Sequence, residues 1–209
     1  MNHPPKVPCP DEARRILGQA ARKNPGRWAG HSLRVGEAAR RLAEAHPRLD
    51  PQIGESLGLL HDVGRGEGPN GHRHMYEGHL LLSRLGYEDA ARICLTHSFP
   101  AKDFSQLFGA RDCAPEEERF IQSYVEACEY DDYDRLIMLC DSLAQASGFC
   151  LLEKRFVEVA LRYAPTPISH VKWRACLELR DYFGRAIGRS VYDLLPGIVE
   201  NTFSLSPTP

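Results

Sequence analysis

Several features that would place a chain in a specialised class are missing from this 209-residue sequence. No stretch approaches the roughly 18 consecutive apolar residues that span a bilayer, and the amino terminus lacks a basic start followed by an apolar segment. The net charge of -2 gives no overall electrostatic attraction to nucleic acid polymers or anionic membranes. We therefore expect a cytoplasmic protein without nucleic-acid or membrane partners, in which any recognition of phosphate is local.

Paired cysteines are also missing. The seven cysteines are odd in number, and no two of them have the C-x-x-C spacing. This pattern argues against both a disulfide framework and a thiolate zinc site. Any metal site in this chain is therefore expected to use nitrogen and oxygen ligands.

Alternating β-type patterning is nearly absent, and helical periodicity dominates. With 43% hydrophobic and 26% charged residues, the composition fits one globular domain with a buried core. We predict an all-α fold of eight or nine helices, and we place the helices at 10–22, 28–46, 50–63, 73–85, 87–97, 115–129, 132–147, 150–162 and 167–187.

A histidine–aspartate pair, His61 and Asp62, lies between the apolar run 57–60 and the glycine-rich segment 64–68. At the end of a buried helix this pair offers one nitrogen and two oxygens, which suit a hard or borderline divalent cation. Four more residues of these types fall on the apolar faces of predicted helices by i, i+3, i+4 spacing, namely His31, His74, His97 and Asp141.

Each of these histidines taken alone has a simpler interpretation, since a histidine on an apolar face is usually a core residue bonded to a carbonyl. Their recurrence on five helices favours a shared metal centre. Burying an unpaired carboxylate costs several kcal/mol, so Asp141 requires a counter-charge. Imidazoles and carboxylates without thiolates suit Fe or Mn, with Zn, Ni, Co or Mg as alternatives.

The order of His31, His61-Asp62 and Asp141 resembles that of the HD (His-Asp) domain superfamily of metal-dependent phosphohydrolases. The segment His61-Asp62-Val63-Gly64-Arg65 is similar to the signature His-Asp-Ile-Gly-Lys, with arginine in place of lysine. The resemblance covers about residues 25–165. It implies an HD helical bundle there, preceded by a tail and helix over 1–24 and followed by a helix and tail over 166–209 that pack on the same domain.

The resemblance also implies which residues share a metal. One ion would be held by His31, His61, Asp62 and Asp141, and Asp62 would bridge to a second ion bound by His74 and His97, where the dinuclear subgroups place their additional ligands. His79 is a rival for His74, but it follows Gly78 directly, whereas His74 precedes Gly78 by four residues.

The implied reaction is hydrolysis of a phosphomonoester or phosphoanhydride in a small nucleotide-like metabolite. Two loops that adjoin the ligands carry candidate catalytic residues. Arg65, supported by Lys102 or Arg155, would neutralise charge on the phosphoryl group, and His72 would protonate the leaving group. For Arg155, a solvated surface charge is an equally good interpretation.

Two other functions fit the same residues. Mixed-valent di-iron oxygenases have a similar ligand order, and no residue here excludes them. A non-catalytic nucleotide-binding module would keep the fold, although the retained ligands argue against it. The sequence also leaves open whether residues 165–209 cap the site or form the contact of a homodimer.

Overall fold

The computed structural model describes residues 5–68, 71–163 and 169–204, and these residues form ten α-helices and one small β-hairpin. The helices are α1 (Pro10–Lys23), α2 (Arg27–Ala45), α3 (Pro51–Leu60), α4 (Arg73–Arg84), α5 (Glu88–Thr96), α6 (Pro115–Ala127), α7 (Asp132–Leu143), α8 (Leu152–Tyr163), α9 (Ser169–Ile187) and α10 (Ile198–Phe203). Short 3₁₀ segments occupy Val63–Glu67, Phe104–Gln106 and Val191–Leu194. The hairpin pairs β1 (Ala144–Gln145) with β2 (Gly148–Phe149) in antiparallel register.

The prediction of an all-α single domain is confirmed, and the nine predicted helices correspond to α1 through α9. Two boundaries differ in ways that affect the site. The helix predicted over 50–63 ends at Leu60, so that His61 and Asp62 lie in the turn beyond it. The helix predicted over 132–147 ends at Leu143, because Ala144 and Gln145 form strand β1 and pair with β2.

The centre of the bundle is formed by α2, α3 and α7. Helices α2 and α3 cross with their backbones almost in contact, since a Cβ on Gly58 would lie 2.7 Å from the Cα of Gly36. The side chains of Leu42, Leu60 and Leu139 are fully buried around this crossing. Burial of each side chain contributes about 1.5–3 kcal/mol to stability. The crossing therefore fixes the position of the residues that follow α3, including His61 and Asp62.

A buried polar cluster joins α5 to α7. Asp134 of α7 is fully buried and accepts hydrogen bonds from Thr96 Oγ1 at 2.8 Å and from Arg92 Nε at 3.2 Å. A buried carboxylate is tolerated only when it is paired in this way. The cluster therefore holds the end of α5, which His97 follows, against the helix that carries Asp141.

All seven cysteines are free, as their spacing predicts. Cys94 and Cys140 lie in the core, and burial raises the pKa of both thiols. They therefore act as small apolar residues. No helix in the described ranges is both long enough and apolar enough to cross a membrane.

Candidate metal centre

The His61–Asp62 pair lies where α3 gives way to the 3₁₀ segment, and this segment packs directly on α4. Gly64 allows the close packing, because a side chain at that position would overlap the carbonyl oxygen of His74 and the amide nitrogen of Gly78. The turn leaves the His61 and Asp62 side chains buried, with 1% and 5% of the residue surfaces exposed. The motif glycine thus brings the helix of His74 beside the carboxylate of Asp62.

Asp62 belongs to two groups of metal-ligand atoms. In one group it lies with His31 and His61, in the other with His74 and His97, and the ligand atoms of each group lie within 4.8 Å of one another. Its two oxygens divide between the groups. Asp62 Oδ1 lies 3.0 Å from His74 Nε2 and 3.7 Å from His97 Nε2, whereas Asp62 Oδ2 lies 3.9 Å from His61 Nε2.

Asp141 joins the first group from α7. Its Oδ1 lies 2.8 Å from His31 Nε2 and 3.7 Å from His61 Nε2. The imidazoles are themselves close, since the ring centroid of His61 is 5.3 Å from that of His31 and 5.0 Å from that of His97. The structure therefore brings together all six side chains that the sequence singled out.

Backbone hydrogen bonds orient three of the imidazoles in the same way. The Nδ1 of His61 donates to the carbonyl of Gly58 at 2.7 Å, and the Nδ1 of His97 donates to the carbonyls of Ile93 and Cys94, each at 3.1 Å. The Nδ1 of His74 donates to the carbonyl of Gly71. With the proton on Nδ1, each ring directs the Nε2 lone pair at the centre.

The buried Nε2 atoms of His61 and His74 have no hydrogen-bond partner in the part of the chain that the structure describes, since the 3.0 Å approach of His74 Nε2 to Asp62 Oδ1 lacks hydrogen-bond geometry. Buried polar atoms are rarely left unsatisfied, so each such atom calls for an explanation. A cation bound between these nitrogens and the oxygens of Asp62 would satisfy both. The residues present therefore fit a site for divalent metal ions.

The protonation states agree with this fit. Burial raises the pKa of Asp62, but Arg65, His74 and His61 together outweigh it and hold the pKa well below its usual range. Burial lowers the pKa of His97 to about 3, and it also lowers the pKa of His61. Ionised carboxylates and neutral imidazoles are the forms that bind metal ions.

Arg65 lies at the site, where its side chain is hydrogen-bonded to the proposed metal ligand Asp62. Its Nε donates to Asp62 Oδ2 at 2.7 Å, and the side chain is 31% exposed at the edge of the cavity. The guanidinium therefore fixes the orientation of the Asp62 carboxylate and favours its charged form. This contact is suited to a positioning role for the arginine that stands where the signature has lysine.

The other predicted catalytic residues are placed less favourably. His72 lines the cavity, but its Nε2 donates to the carbonyl of Phe108 at 3.1 Å, so that proton is not directed at a leaving group. The structure does not bring Lys102 to the site. Its Nζ donates to the carbonyl of Cys128 and lies 4.7 Å from the ring centroid of Tyr130.

His79, the rival of His74, also lies elsewhere. Its Nδ1 donates to the carbonyl of Ala91 at 3.3 Å, and its ring packs against Phe120 and Tyr124. Packing among aromatic rings is the ordinary role of a half-buried histidine. The geometry therefore favours His74 over His79 as the ligand on α4.

The ligands open into a cavity of about 1430 Å³, and all of the six except His61 line it. Helices α8, α9 and α10 contribute lining residues that the sequence analysis missed or left undecided, namely Lys154, Arg155, Glu158, Arg162, Lys172, Glu200 and Asn201. Their spacing resembles that of a solvated helix face, so periodicity alone could not assign them. The C-terminal helices thus form one wall of the site.

A model of the HD domain family matches residues 28–146, which is more than half of the chain and includes all six candidate ligands. No curated protein and no solved structure matches the chain. The match lies within the segment for which the sequence analysis found the resemblance, and it covers α2 through the hairpin strand β1. The chain belongs to the HD domain family.

Proposed function

We propose that this protein is a metal-dependent phosphohydrolase that cleaves a phosphomonoester or phosphoanhydride of a small nucleotide-like metabolite. The observation that carries the proposal is the pair of ligand groups that share Asp62 and open into a cavity with basic walls. The cavity exceeds the roughly 300–1,000 Å³ typical of small-molecule sites, so it has room for a nucleotide. Trp28, Phe108 and Tyr163 in its lining offer apolar faces for a base or sugar.

The proposed centre holds two divalent ions, with Fe or Mn preferred and Zn, Ni, Co or Mg as alternatives. His31, His61 and Asp141 would hold one ion, His74 and His97 the other, and Asp62 would contribute one oxygen to each. When bound, such ions supply a water of lowered pKa as nucleophile and neutralise phosphoryl oxygens. Burial in the protein lowers the pKa of His61 and His97 and so favours their neutral, metal-binding forms, and Arg65 fixes the orientation of Asp62.

A panel of nucleotides, dinucleoside polyphosphates and sugar phosphates tests the proposal, assayed with Mn and, under anaerobic conditions, with Fe(II). We expect phosphate release from at least one member, dependent on the added metal. Metal analysis in the same samples establishes occupancy. Full occupancy without release of phosphate from any substrate would contradict the proposal.

Aerobic assays of the iron-loaded protein and a binding measurement separate the two other functions. Substrate-dependent oxygen uptake with a mixed-valent iron EPR signal would assign the centre to an oxygenase. Tight nucleotide binding without turnover would assign the chain to the non-catalytic class. No contact among the described residues favours either function over hydrolysis.

The two-ion proposal predicts different effects for two histidines of α4. His74→Ala removes a ligand whose Nε2 lies 3.0 Å from Asp62 Oδ1, so we expect the bound metal to fall from two ions per chain to one. His79→Ala is the matched control, because His79 is a half-buried histidine of the same helix outside the cavity lining. Elemental analysis after dialysis gives the stoichiometry. Two ions retained by the His74 variant would show that His74 is not a ligand.

A further inference from the structure

The cavity is lined by basic side chains on the side that α8 and α9 form. Its basic residues beyond Arg65 are Arg27, Lys154, Arg155, Arg162 and Lys172. Among the described lining residues, only Glu158 and Glu200 add carboxylates beyond the proposed metal ligands Asp62 and Asp141. The cavity therefore has a local excess of positive charge in a protein whose net charge is -2.

Two of these cations have partners within the protein. Lys154 Nζ donates to the carbonyl of Asn201 at 2.7 Å and lies 3.6 Å from Glu158 Oε1. The guanidinium of Arg162 lies 5.8 Å from the ring centroid of Tyr163. Their contacts account for their positions without any ligand.

Arg155 and Lys172 differ from these two. Both are half-buried, and neither forms an ion pair with a carboxylate in the ranges that the structure describes. Lys172 Nζ donates to the carbonyl of Ser98 at 3.2 Å and lies 5.9 Å from the ring centroid of Phe108. Ser98 directly follows the proposed metal ligand His97, and Lys172 lines the same cavity as His97 and Asp141.

The positive charges of Arg155 and Lys172 also repel each other. Burial lowers the pKa of Lys172, and the nearby charge of Arg155 lowers it further, while Cys176 and Asp141 oppose the change. Two like charges in a partly enclosed cavity raise the free energy of the protein unless an anion neutralises them. The nearby carboxylate of Asp141 is itself a proposed metal ligand, and among the described residues it lies within ion-pair distance of neither cation, so the neutralising anion would have to come from a bound ligand.

We propose that Arg155 and Lys172 form a subsite for a second phosphoryl group of the substrate, next to the phosphoryl group that reacts at the metal centre. This inference rests on the proposed function. A terminal phosphoryl group carries a charge of about -1.5 to -2 at neutral pH, which matches the two cations, whereas a carboxylate would leave one of them uncompensated. The arginine fork binds two phosphate oxygens at once, and the lysine adds a point charge.

The proposal assigns the substrate class as an ester or anhydride with two neighbouring phosphoryl groups. It is tested with matched substrates that differ only in the second group, namely adenosine diphosphate against adenosine monophosphate and uridine diphosphate against uridine monophosphate. We expect the metal-loaded wild-type protein to prefer the doubly phosphorylated member of at least one pair by about tenfold or more in kcat/KM.

Arg155→Met and Lys172→Met remove the charge and keep most of the apolar stem. Each should abolish most of that preference, mainly by raising KM for the doubly phosphorylated substrate. Arg174→Met is the matched control, because Arg174 is an exposed basic residue of α9 that does not line the cavity. Equal preference in wild type and in both cavity variants, or the same loss in the Arg174 variant, would overturn the proposal.

A binding measurement separates the subsite from catalysis. Imidodiphosphate resists hydrolysis because nitrogen bridges its two phosphoryl groups, and its affinity for the metal-loaded full chain can be compared with that of inorganic phosphate by calorimetry. The ratio of the two affinities should fall about tenfold in the Arg155 and Lys172 variants and stay constant in the Arg174 variant. If no substrate is hydrolysed, the proposed function fails, and this ratio alone decides whether the subsite exists.

Discussion

Replacing Asp62 by asparagine should lower phosphohydrolase kcat/KM by at least about a thousandfold and remove bound metal from both halves of the centre. The physical reason is that one carboxylate serves both ligand groups, Oδ1 facing His74 and His97 and Oδ2 facing His61. Asparagine keeps one carbonyl oxygen but loses the charge, and its amide would face either the imidazoles or Arg65. Elemental analysis and steady-state kinetics at saturating metal measure the two effects.

Asp11→Asn is the control for this variant. Asp11 is an exposed carboxylate in the first turn of α1, so its removal makes the same chemical change away from the site. Circular dichroism separates loss of ligation from loss of fold, since both variants should keep the helical spectrum. An Asp62 variant that retained two ions and more than a tenth of wild-type activity would refute the shared role of this carboxylate.

The clustering of the six candidate ligands could be predicted because their positions follow from helical geometry. His31, His97 and Asp141 lie on the apolar stripes of their helices, and stripes on neighbouring helices must face each other in a bundle. Periodicity could not show which candidate ligands lie in the same group, because the grouping depends on how the helices cross. The division of the Asp62 oxygens between two groups, for example, follows from the turn after α3 and its packing on α4.

The cavity wall could not be predicted for a related reason. Lys154, Arg155 and Lys172 occupy helices in which charged residues alternate with apolar ones, and the sequence cannot show whether such a face meets solvent or a cavity. Helix α10 spans only six residues, which is too short for a periodicity to be recognised. Lys102 was expected to neutralise charge on the phosphoryl group. Its ammonium instead contacts the carbonyl of Cys128 and the ring of Tyr130, away from the cavity.

A second variant tests the link between the sequence motif and the packing of the bundle. Gly64 lies two residues after Asp62, and an added Cβ would overlap the backbone of α4 at His74 and Gly78. Backbone atoms cannot move aside as a flexible side chain can. On its other side, α4 packs closely on α5, since a Cβ on Gly78 would lie 2.8 Å from Cys94 Sγ. Helix α4 therefore has little room to move away from Gly64.

We therefore expect Gly64→Ala to lower the free energy of unfolding by about 3 kcal/mol or more and to weaken metal binding, because relief of the overlap moves His74 away from Asp62. Gly18→Ala is the control, since the nearest atom to its added Cβ is Arg22 Nη1 at 3.8 Å. Alanine within α1 should raise stability by roughly 0.5–1 kcal/mol. Urea denaturation of the metal-free proteins measures the first effect and metal titration the second. A Gly64 variant as stable as the Gly18 variant would show that α4 is free to move, and the tight contact would then have no part in holding His74 at the centre.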